Sequence, residues 1–255
     1  MFQHITRALA ILSLTLPAGA WAQSVSCSSE LKASYTQPTT RYAHGVLGDN
    51  IEYGALKIEI SNSTDRCTEE AETQEAVLPE SMVFEDLQPR LVDLDGDQQP
   101  EIITVESSDT EGARLAIWGV KSGELQRLAA TPYIGRAFRW LAPIGAADFD
   151  ADGHMEIAYI DRPHLAQTLR IWRYQNGSLT QIAQRSGLTN HRIGEDFISG
   201  GVRDCGRGPE MITADGSWSN VIATRFVDGE LVSESLGRFK GAESFSVVLG
   251  CDGPK

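Results

Sequence analysis

An internal repeat is the feature that most constrains how this sequence can fold. Residues 91–103 read Leu-Val-Asp-Leu-Asp-Gly-Asp-Gln-Gln-Pro-Glu-Ile-Ile, and a close copy follows 55 positions later at residues 146–158. A weaker third copy lies another 54 positions on, at residues 200–212. Trp118 and Trp172 lie 54 positions apart, within one residue of the spacing between the first two copies. Matches at several points in each unit indicate one supersecondary unit used repeatedly.

Short apolar–polar alternating segments and Asn-Gly or Asp-Gly turns favour strands over helices in each unit. In the second unit, strands are expected near residues 156–160, 169–174, 179–184 and 197–202. We therefore predict an all-β fold, a small β-propeller of about four (possibly five) four-stranded blades. Residues 51–60 and 82–91 would supply strands of an irregular fourth blade. Residues 23–255 would form a single domain, with repeat loops near 93–101, 148–156 and 202–210.

The first two repeat loops predict calcium sites. Carboxylates occupy positions 1, 3, 5 and 9 of a nine-residue loop in both copies, and alternate carboxylates in a tight loop converge on one point. Oxygen-only donors favour calcium, while magnesium demands stricter octahedral geometry. The residue at position 7 would add its main-chain carbonyl. The expected ligands are Asp93, Asp95, Asp97, Gln99 and Glu101 in one loop, and Asp148, Asp150, Asp152, His154 and Glu156 in the other.

An EF-hand is the obvious competitor for this pattern, and the spacing excludes it. Its bidentate Glu belongs at position 12, where this chain has Thr104 and Tyr159. The loops also lead into β-rich segments, where an EF-hand would continue as a helix. A solvated acidic turn remains the plain alternative for each loop.

The third copy has lost most of its acids. Val202 and Gly206 stand at positions 1 and 5, so only Asp204 and Glu210 remain, and no calcium is expected there. We hypothesise that Arg207 replaces the ion by bridging those two carboxylates.

These loops resemble the VCBS/FG-GAP repeats of integrin-type β-propellers, in the Asp-x-Asp-Gly-Asp-x-x-x-Glu run at 93–101 and in residues 145–156. The resemblance covers roughly residues 80 to 215 and implies a propeller with calcium bound in hairpin loops of its blades. Gln98 departs from the family, which often has Gly there, so some local strain is expected. Integrin-type propellers commonly have seven blades, for which this chain is too short.

The N-terminus has the layout of a secretory signal peptide at residues 1–22: one cation, a short apolar run, and small residues before a cut after Ala22. We therefore expect an exported protein, periplasmic or extracellular, without a membrane span. The formal net charge of -13 argues against nucleic acid as a partner, because phosphate contacts need clustered Lys and Arg.

Export would place the four cysteines in an oxidising compartment. They allow three pairings, of which we favour Cys27–Cys67 and Cys205–Cys251, since each then closes a loop within one half of the chain.

Outside the acidic loops, His44, His164 and His191 lie in similar polar settings. Scattered surface positions are the simpler interpretation, but convergence at one channel mouth would create an anion-binding or acid–base site. Trp118 and Trp172 are expected in the core between blades. Trp140 and Trp218 fall outside that ladder and are candidates for an exposed binding surface.

Two functions remain open. The first is an exported calcium-binding β-propeller that acts as a binding module for a protein or glycan partner. The alternative is a propeller-fold hydrolase with a His/carboxylate site at the channel mouth. No motif assembles a nucleophile, a base and an oxyanion donor, so the binding module is preferred, with no catalytic residue assigned.

Overall fold

A computed structural model describes residues 29–62 and 71–251 of the chain. Within those ranges the regular elements are seventeen strands and one short helix, so the predicted all-β class is confirmed. The predicted signal peptide lies outside the described residues, as do Cys27 and Cys67. In the described ranges, no helix has both the length and the apolar character needed to cross a membrane.

The N-terminal half of the chain forms one eight-stranded antiparallel sheet. Its strands are β1 (Ser29–Thr39), β2 (Glu52–Asn62), β3 (Glu72–Val77), β4 (Met82–Phe84), β5 (Arg90–Val92), β6 (Glu101–Ser108), β7 (Gly112–Lys121) and β8 (Glu124–Ala130). β2 pairs with β1 on one side and with β3 and β4 on the other. β4 also pairs with β6, so this three-residue strand joins the β1–β3 unit to the strands that follow.

The remaining strands form two further antiparallel sheets. One has the order β12-β11-β10-β9 and consists of β9 (Leu141–Ala147), β10 (Glu156–Asp161), β11 (Thr168–Gln175) and β12 (Ser178–Ser186). The other consists of β13 (Leu188–Thr189), β14 (Gly201–Asp204), β15 (Pro209–Asp215), β16 (Asn220–Val227) and β17 (Glu230–Arg238).

The sequence repeat corresponds to three four-stranded antiparallel units, which are called blades 1 to 3 below. Blade 1 is β5–β8, blade 2 is β9–β12 and blade 3 is β14–β17. In each blade the repeat loop connects the first strand to the second. The strand expected near residues 197–202 therefore opens blade 3, and β9, which precedes loop B, is the first strand of blade 2. Upstream of the blades, the described residues form a three-stranded unit, β1–β3, where an irregular four-stranded blade was expected.

The blades stack face to face, with an apolar layer between each pair. Successive side chains of a strand point to opposite faces, so adjacent residues of β6 serve different layers. Ile102 packs with Leu56 and Phe84 toward the β1–β3 unit, while Ile103 packs with Leu141 toward blade 2. β6 and β10 are buried along their whole length because both of their faces are covered.

A C-terminal helix, α1 (Glu243–Leu249), covers the outer face of blade 3. Phe245 and Val248 pack on Ile212 and Val221, in an apolar cluster whose described members all come from blade 3, α1 and the segment that joins them. The sequence pattern did not predict this helix, because seven residues are too few to display a helical period. Blades 1 to 3 are thus stacked between the β1–β3 unit at one end and a helix at the other.

Candidate functional site

The two acidic loops occupy equivalent places in blades 1 and 2. Loop A comprises residues 93–101 and joins β5 to β6, and loop B comprises residues 148–156 and joins β9 to β10. In each loop the carboxylate at position 9 is the first residue of a central strand and is buried, Glu101 in loop A and Glu156 in loop B.

Three carboxylates of loop A converge. Oxygens of Asp93, Asp95 and Glu101 all lie within 4.8 Å of one another. Main-chain N–H groups hold them in place: Gly96 donates to Asp93 Oδ1 at 2.8 Å, and Leu94 donates to Glu101 Oε2 at 2.8 Å. This arrangement brings together anionic oxygens that would repel one another without a cation between them.

Loop B repeats this geometry. Oxygens of Asp148, Asp150 and Glu156 lie within 4.8 Å of one another. Gly153 N–H donates to Asp148 Oδ2 at 2.9 Å, and Phe149 N–H donates to Glu156 Oε2 at 2.8 Å, as Leu94 does in loop A. The sequence-predicted positions 1, 3 and 9 therefore meet in both loops.

The carboxylates at position 5 stand outside these clusters and bond to position 7. Asp97 Oδ1 accepts from the Gln99 N–H at 2.7 Å, and Asp152 Oδ1 accepts from the His154 N–H at 3.0 Å. The His154 ring points elsewhere, with Nε2 2.9 Å from Gln175 Nε2. The carboxylate at position 5 thus stabilises the turn formed by positions 5 to 7.

Both loops require left-handed backbone at positions 4 and 6. Loop A places Gly96 at position 4 with φ 80° and Gln98 at position 6 with φ 71°. Loop B reverses the assignment, with Ala151 at φ 60° and Gly153 at φ 89°. Left-handed backbone is unfavourable for residues with a Cβ, so each loop carries one strained residue, and the strain expected at Gln98 is present.

An arginine on the neighbouring strand distinguishes loop B. Arg173 of β11 lies directly opposite Glu156 in the hairpin. Its guanidinium contacts three carboxylates of the loop: Glu156 at 2.7 Å, Asp150 at 2.6 Å and Asp152 at 2.8 Å. The sequence analysis missed this residue. The hairpin register would have placed Arg173 opposite Glu156, but that register depends on the position of the β10–β11 turn.

Loop A has no such partner. The residue opposite Glu101 is Gly119, as the pairing of Ile102 with Trp118 requires. Among the described residues, no Lys or Arg forms an ion pair with the acids of loop A. Burial raises the pKa of Glu101, and Asp95 and Asp97 raise it further. Burial likewise raises the pKa of Glu156, but there Arg173 acts in the opposite direction.

The third loop, between β14 and β15, is arginine-rich. Glu210 is buried and accepts hydrogen bonds from Arg203 at 2.9 Å and Arg207 at 2.8 Å. Arg207 also bonds Glu234 at 2.7 Å, so it bridges Glu210 to Glu234, and the predicted bridge to Asp204 is wrong. Asp204 instead accepts from the Gly206 and Gly208 N–H groups. The expected Cys205–Cys251 disulfide is present and ties this loop to the residue that follows α1's C-cap.

The three histidines lie near one another, away from the acidic loops. His44 and His164 line one cavity, and His191 lies buried beneath it with Nδ1 3.0 Å from His164 Nε2. The simpler interpretation of scattered surface histidines is therefore wrong. Trp118 and Trp172 pack in the layers between sheets as predicted. Trp140 was a candidate for an exposed surface, but it is only 2% exposed and donates to the Glu85 carbonyl at 2.8 Å.

Comparison with known families matches residues 93–159 to the FG-GAP-like repeat. The matched segment begins at the first acid of loop A and ends just after the last acid of loop B, so it contains both acidic loops and the strands between them. A search of curated proteins finds no match to this chain. The sequence resemblance to FG-GAP repeats is thus confirmed over these residues, which carry an FG-GAP-like repeat.

Proposed function

We propose that this protein is an exported, calcium-binding β-propeller-like module that binds a protein or glycan partner. The observation that carries the proposal is loop A, where three carboxylates converge within 4.8 Å and no described Lys or Arg neutralises them. An FG-GAP-like repeat with this fold is consistent with an interaction module.

Calcium suits the donor set of loop A. The converging groups are all hard oxygen donors, and calcium accepts six to eight such ligands in flexible geometry. Asp93, Asp95 and Glu101 would hold the ion, with Asp97 and the Gln99 carbonyl as the remaining predicted ligands. When bound, the ion neutralises the clustered acids and cross-links the start of the loop to the buried end of β6.

Loop B would bind calcium less readily. Its predicted ligands are Asp148, Asp150, Asp152, the His154 carbonyl and Glu156, and Arg173 already bonds three of their carboxylates. A divalent ion would have to share those oxygens with the guanidinium or displace it. We therefore assign the stronger calcium dependence to loop A.

The proposed partner surface lies beside loop A. A cleft of about 510 Å³ opens there, lined by groups from blades 1 and 2 that include Asp95, Lys121, Arg127 and Asn176. Its mixed polar character suits a protein loop or a glycan. Export is supported by the leader-like layout of residues 1–22 and by a disulfide, which favours an oxidising compartment, periplasmic or extracellular.

The hydrolase alternative has weaker support. The histidine cavity combines His44 and His164 with the nearby Glu85, but the part of its wall formed by described residues contains no Ser, Thr or Cys side chain to act as nucleophile. We therefore retain the binding module.

Thermal unfolding of the full chain tests the calcium proposal. The chain is expressed with its leader, purified, and melted in calcium, in magnesium at equal ionic strength, and in chelator. At a hundred times its Kd, a ligand that binds only the native state adds about 2.7 kcal/mol to the free energy of unfolding. We expect calcium to raise Tm, Asp95→Asn to remove most of the rise, and Asp150→Asn to remove a smaller part of it.

Identical melts in calcium and chelator would contradict a calcium site. An equal loss in Asp95→Asn and Asp150→Asn would contradict the preference for loop A. A glycan array probed in calcium and in chelator then tests whether partner binding depends on the ion.

A further inference from the structure

A second cavity lies at the opposite edge of blade 2 from loop B. β10 starts at Glu156 in loop B and ends at Asp161, next to Arg162 of the cavity wall. β9 starts beside Trp140 of the same wall and ends at loop B. The cavity measures about 230 Å³. A cavity of about 150 Å³ holds a benzene ring, so this one has room for a ring and a small substituent.

Buried groups fix the orientation of both cavity histidines. His44 Nδ1 lies 2.5 Å from Oε1 of Glu85, a fully buried carboxylate that also accepts a hydrogen bond from Ser107. With Glu85 as the carboxylate, Nδ1–H of His44 donates to it, and Nε2 of His44 is a lone-pair acceptor. A histidine held in one tautomer by a buried acid is pre-organised at little further cost in entropy on binding.

A hydrogen bond to His191 fixes the orientation of His164. His191 Nε2 lies 2.9 Å from the Glu195 carbonyl, which only accepts, so this nitrogen donates. His191 Nδ1 therefore accepts from His164 Nε2–H, which leaves Nδ1 of His164 as a lone-pair acceptor. Burial, with the charges of His191 and His44, lowers the pKa of His164 to about 4, so at neutral pH it carries no charge.

Two arginines line the same cavity in a protein whose net charge is -13. Arg162 is committed to Asp161, with contacts of 2.7 and 2.9 Å. Arg139 forms no ion pair with any described residue, and its guanidinium donates only to the Phe138 carbonyl at 3.0 Å. Arg139 is therefore the cation available to an incoming anion.

Exposed apolar side chains form the rim. Phe138 is 47% exposed, Leu165 63% and Ile193 74%, and all three line the cavity. Phe138 and Arg162 also have left-handed backbone, with φ of 54° and 48°. Such strain in a bulky residue persists where the surrounding structure holds it, and it is concentrated at ligand sites. The Phe138 N–H is held by the Tyr42 hydroxyl oxygen at 2.8 Å.

We propose that this cavity binds a small organic anion, a carboxylate joined to an apolar, preferably aromatic, body. The Arg139 guanidinium receives the carboxylate, and Phe138, Leu165 and Ile193 cover the body. A ligand needs both a charge and an apolar body. A bare anion would leave the apolar rim exposed to water, and a neutral apolar ligand would leave Arg139 without a counter-charge.

Titration calorimetry on the full chain tests this site with four probes that vary one property at a time. Phenylacetate has both the charge and the ring, acetate lacks the ring, benzyl alcohol lacks the charge, and phenethylamine reverses it. We expect saturable binding of phenylacetate alone. Arg139→Gln should weaken it at least tenfold. Arg136→Gln removes the same charge from an exposed position on the same loop, outside the cavity wall, and should leave affinity unchanged.

The imidazole C–H resonances of the unmodified protein give a readout that does not depend on any variant folding. Phenylacetate should shift the signals of His44 and His164 and leave that of His154, in loop B, in place. Absence of saturable phenylacetate binding would overturn the proposal. So would equal weakening by Arg136→Gln, or binding of phenethylamine as tight as that of phenylacetate.

Discussion

Loops A and B are almost the same loop in two different electrostatic settings. Both bring the acids at positions 1, 3 and 9 within 4.8 Å, and both use the position 9 carboxylate to hold the N–H of position 2. Their main difference lies outside the motif: Gly119 lies opposite Glu101 in loop A, whereas Arg173 lies opposite Glu156 in loop B. A single residue on the neighbouring strand thus decides whether an arginine contacts the acids of the loop.

The third loop extends this comparison. Its single buried acid, Glu210, is bonded by Arg203 and Arg207, and Arg225, the equivalent of Arg173, lies 3.8 Å away. Loops A and B each carry four acids and the third loop carries two, whereas the arginines that contact them increase from blade 1 to blade 3. The same scaffold thus carries one loop whose acids have no arginine partner among the described residues, one with a single arginine, and one whose buried acid is paired with several arginines.

The largest effect should come from Arg173→Met. This change leaves Glu156 buried and Asp150 and Asp152 without their counter-charge, and breaking a buried ion pair from one side costs about 3–5 kcal/mol. We expect such a loss in the free energy of unfolding in chelator, partly recovered in calcium because loop B then resembles loop A. Arg185→Met, at an exposed position of the same blade, is the control. A variant as stable as that control would show that Arg173 does not neutralise loop B.

The reverse exchange should remove the calcium dependence of loop A. A Cβ at residue 119 would lie 2.7 Å from the Leu128 side chain, so Gly119→Arg is made together with Leu128→Ala. The new guanidinium should reach Glu101 and stand in for the ion, erasing most of the stabilisation of about 2.7 kcal/mol expected at a hundred times Kd. Melting curves in calcium and chelator are compared with those of Leu128→Ala alone. An undiminished calcium response would mean that the opposing residue does not set metal dependence.

A smaller effect is expected from Arg207→Ala in the third loop. Arg207 is half exposed, with 50% of its side chain accessible, and Glu210 would keep its bond to Arg203, which is only 8% accessible. The drop in Tm should therefore be smaller than that of Arg173→Met, and calcium should not alter it. A larger drop than that of Arg173→Met would show that the Glu210–Glu234 bridge, and not Arg203, holds the third loop.

The smallest effects should come from relieving the left-handed residues. Gln98→Gly in loop A and Ala151→Gly in loop B remove a Cβ from left-handed backbone, a conformation that costs a residue with a Cβ roughly 1–2 kcal/mol. Glycine also raises the conformational entropy of the unfolded chain, which offsets about 0.4–1 kcal/mol of the gain in stability. Each variant should gain up to about 1 kcal/mol in chemical denaturation, and the two gains should be alike. A gain in one loop alone would show that their backbones are not equivalent.

Much of the candidate site could be predicted from the sequence because its parts are local. The acids at alternate positions, the strands on either side and the strain at Gln98 all follow from residues within one nine-residue loop. The repeat spacing also indicated stacked four-stranded units. The boundaries of the blades could not be predicted, because the repeat pattern does not indicate whether a unit begins before or after its acidic loop. β9 precedes loop B, so each blade starts one strand earlier than expected.

The sequence by itself determined the all-β class, the repeat and the placement of the acids, and it favoured the pairing of Cys205 with Cys251 that the structure shows. Only the tertiary structure decided that Arg173 neutralises loop B while Gly119 leaves loop A open, and that His44, His164 and His191 lie near one cavity. Those outcomes depend on the register across a hairpin and on loops from different sheets that pack together. Register and packing are set by the burial of apolar faces over the whole chain, which no single motif records.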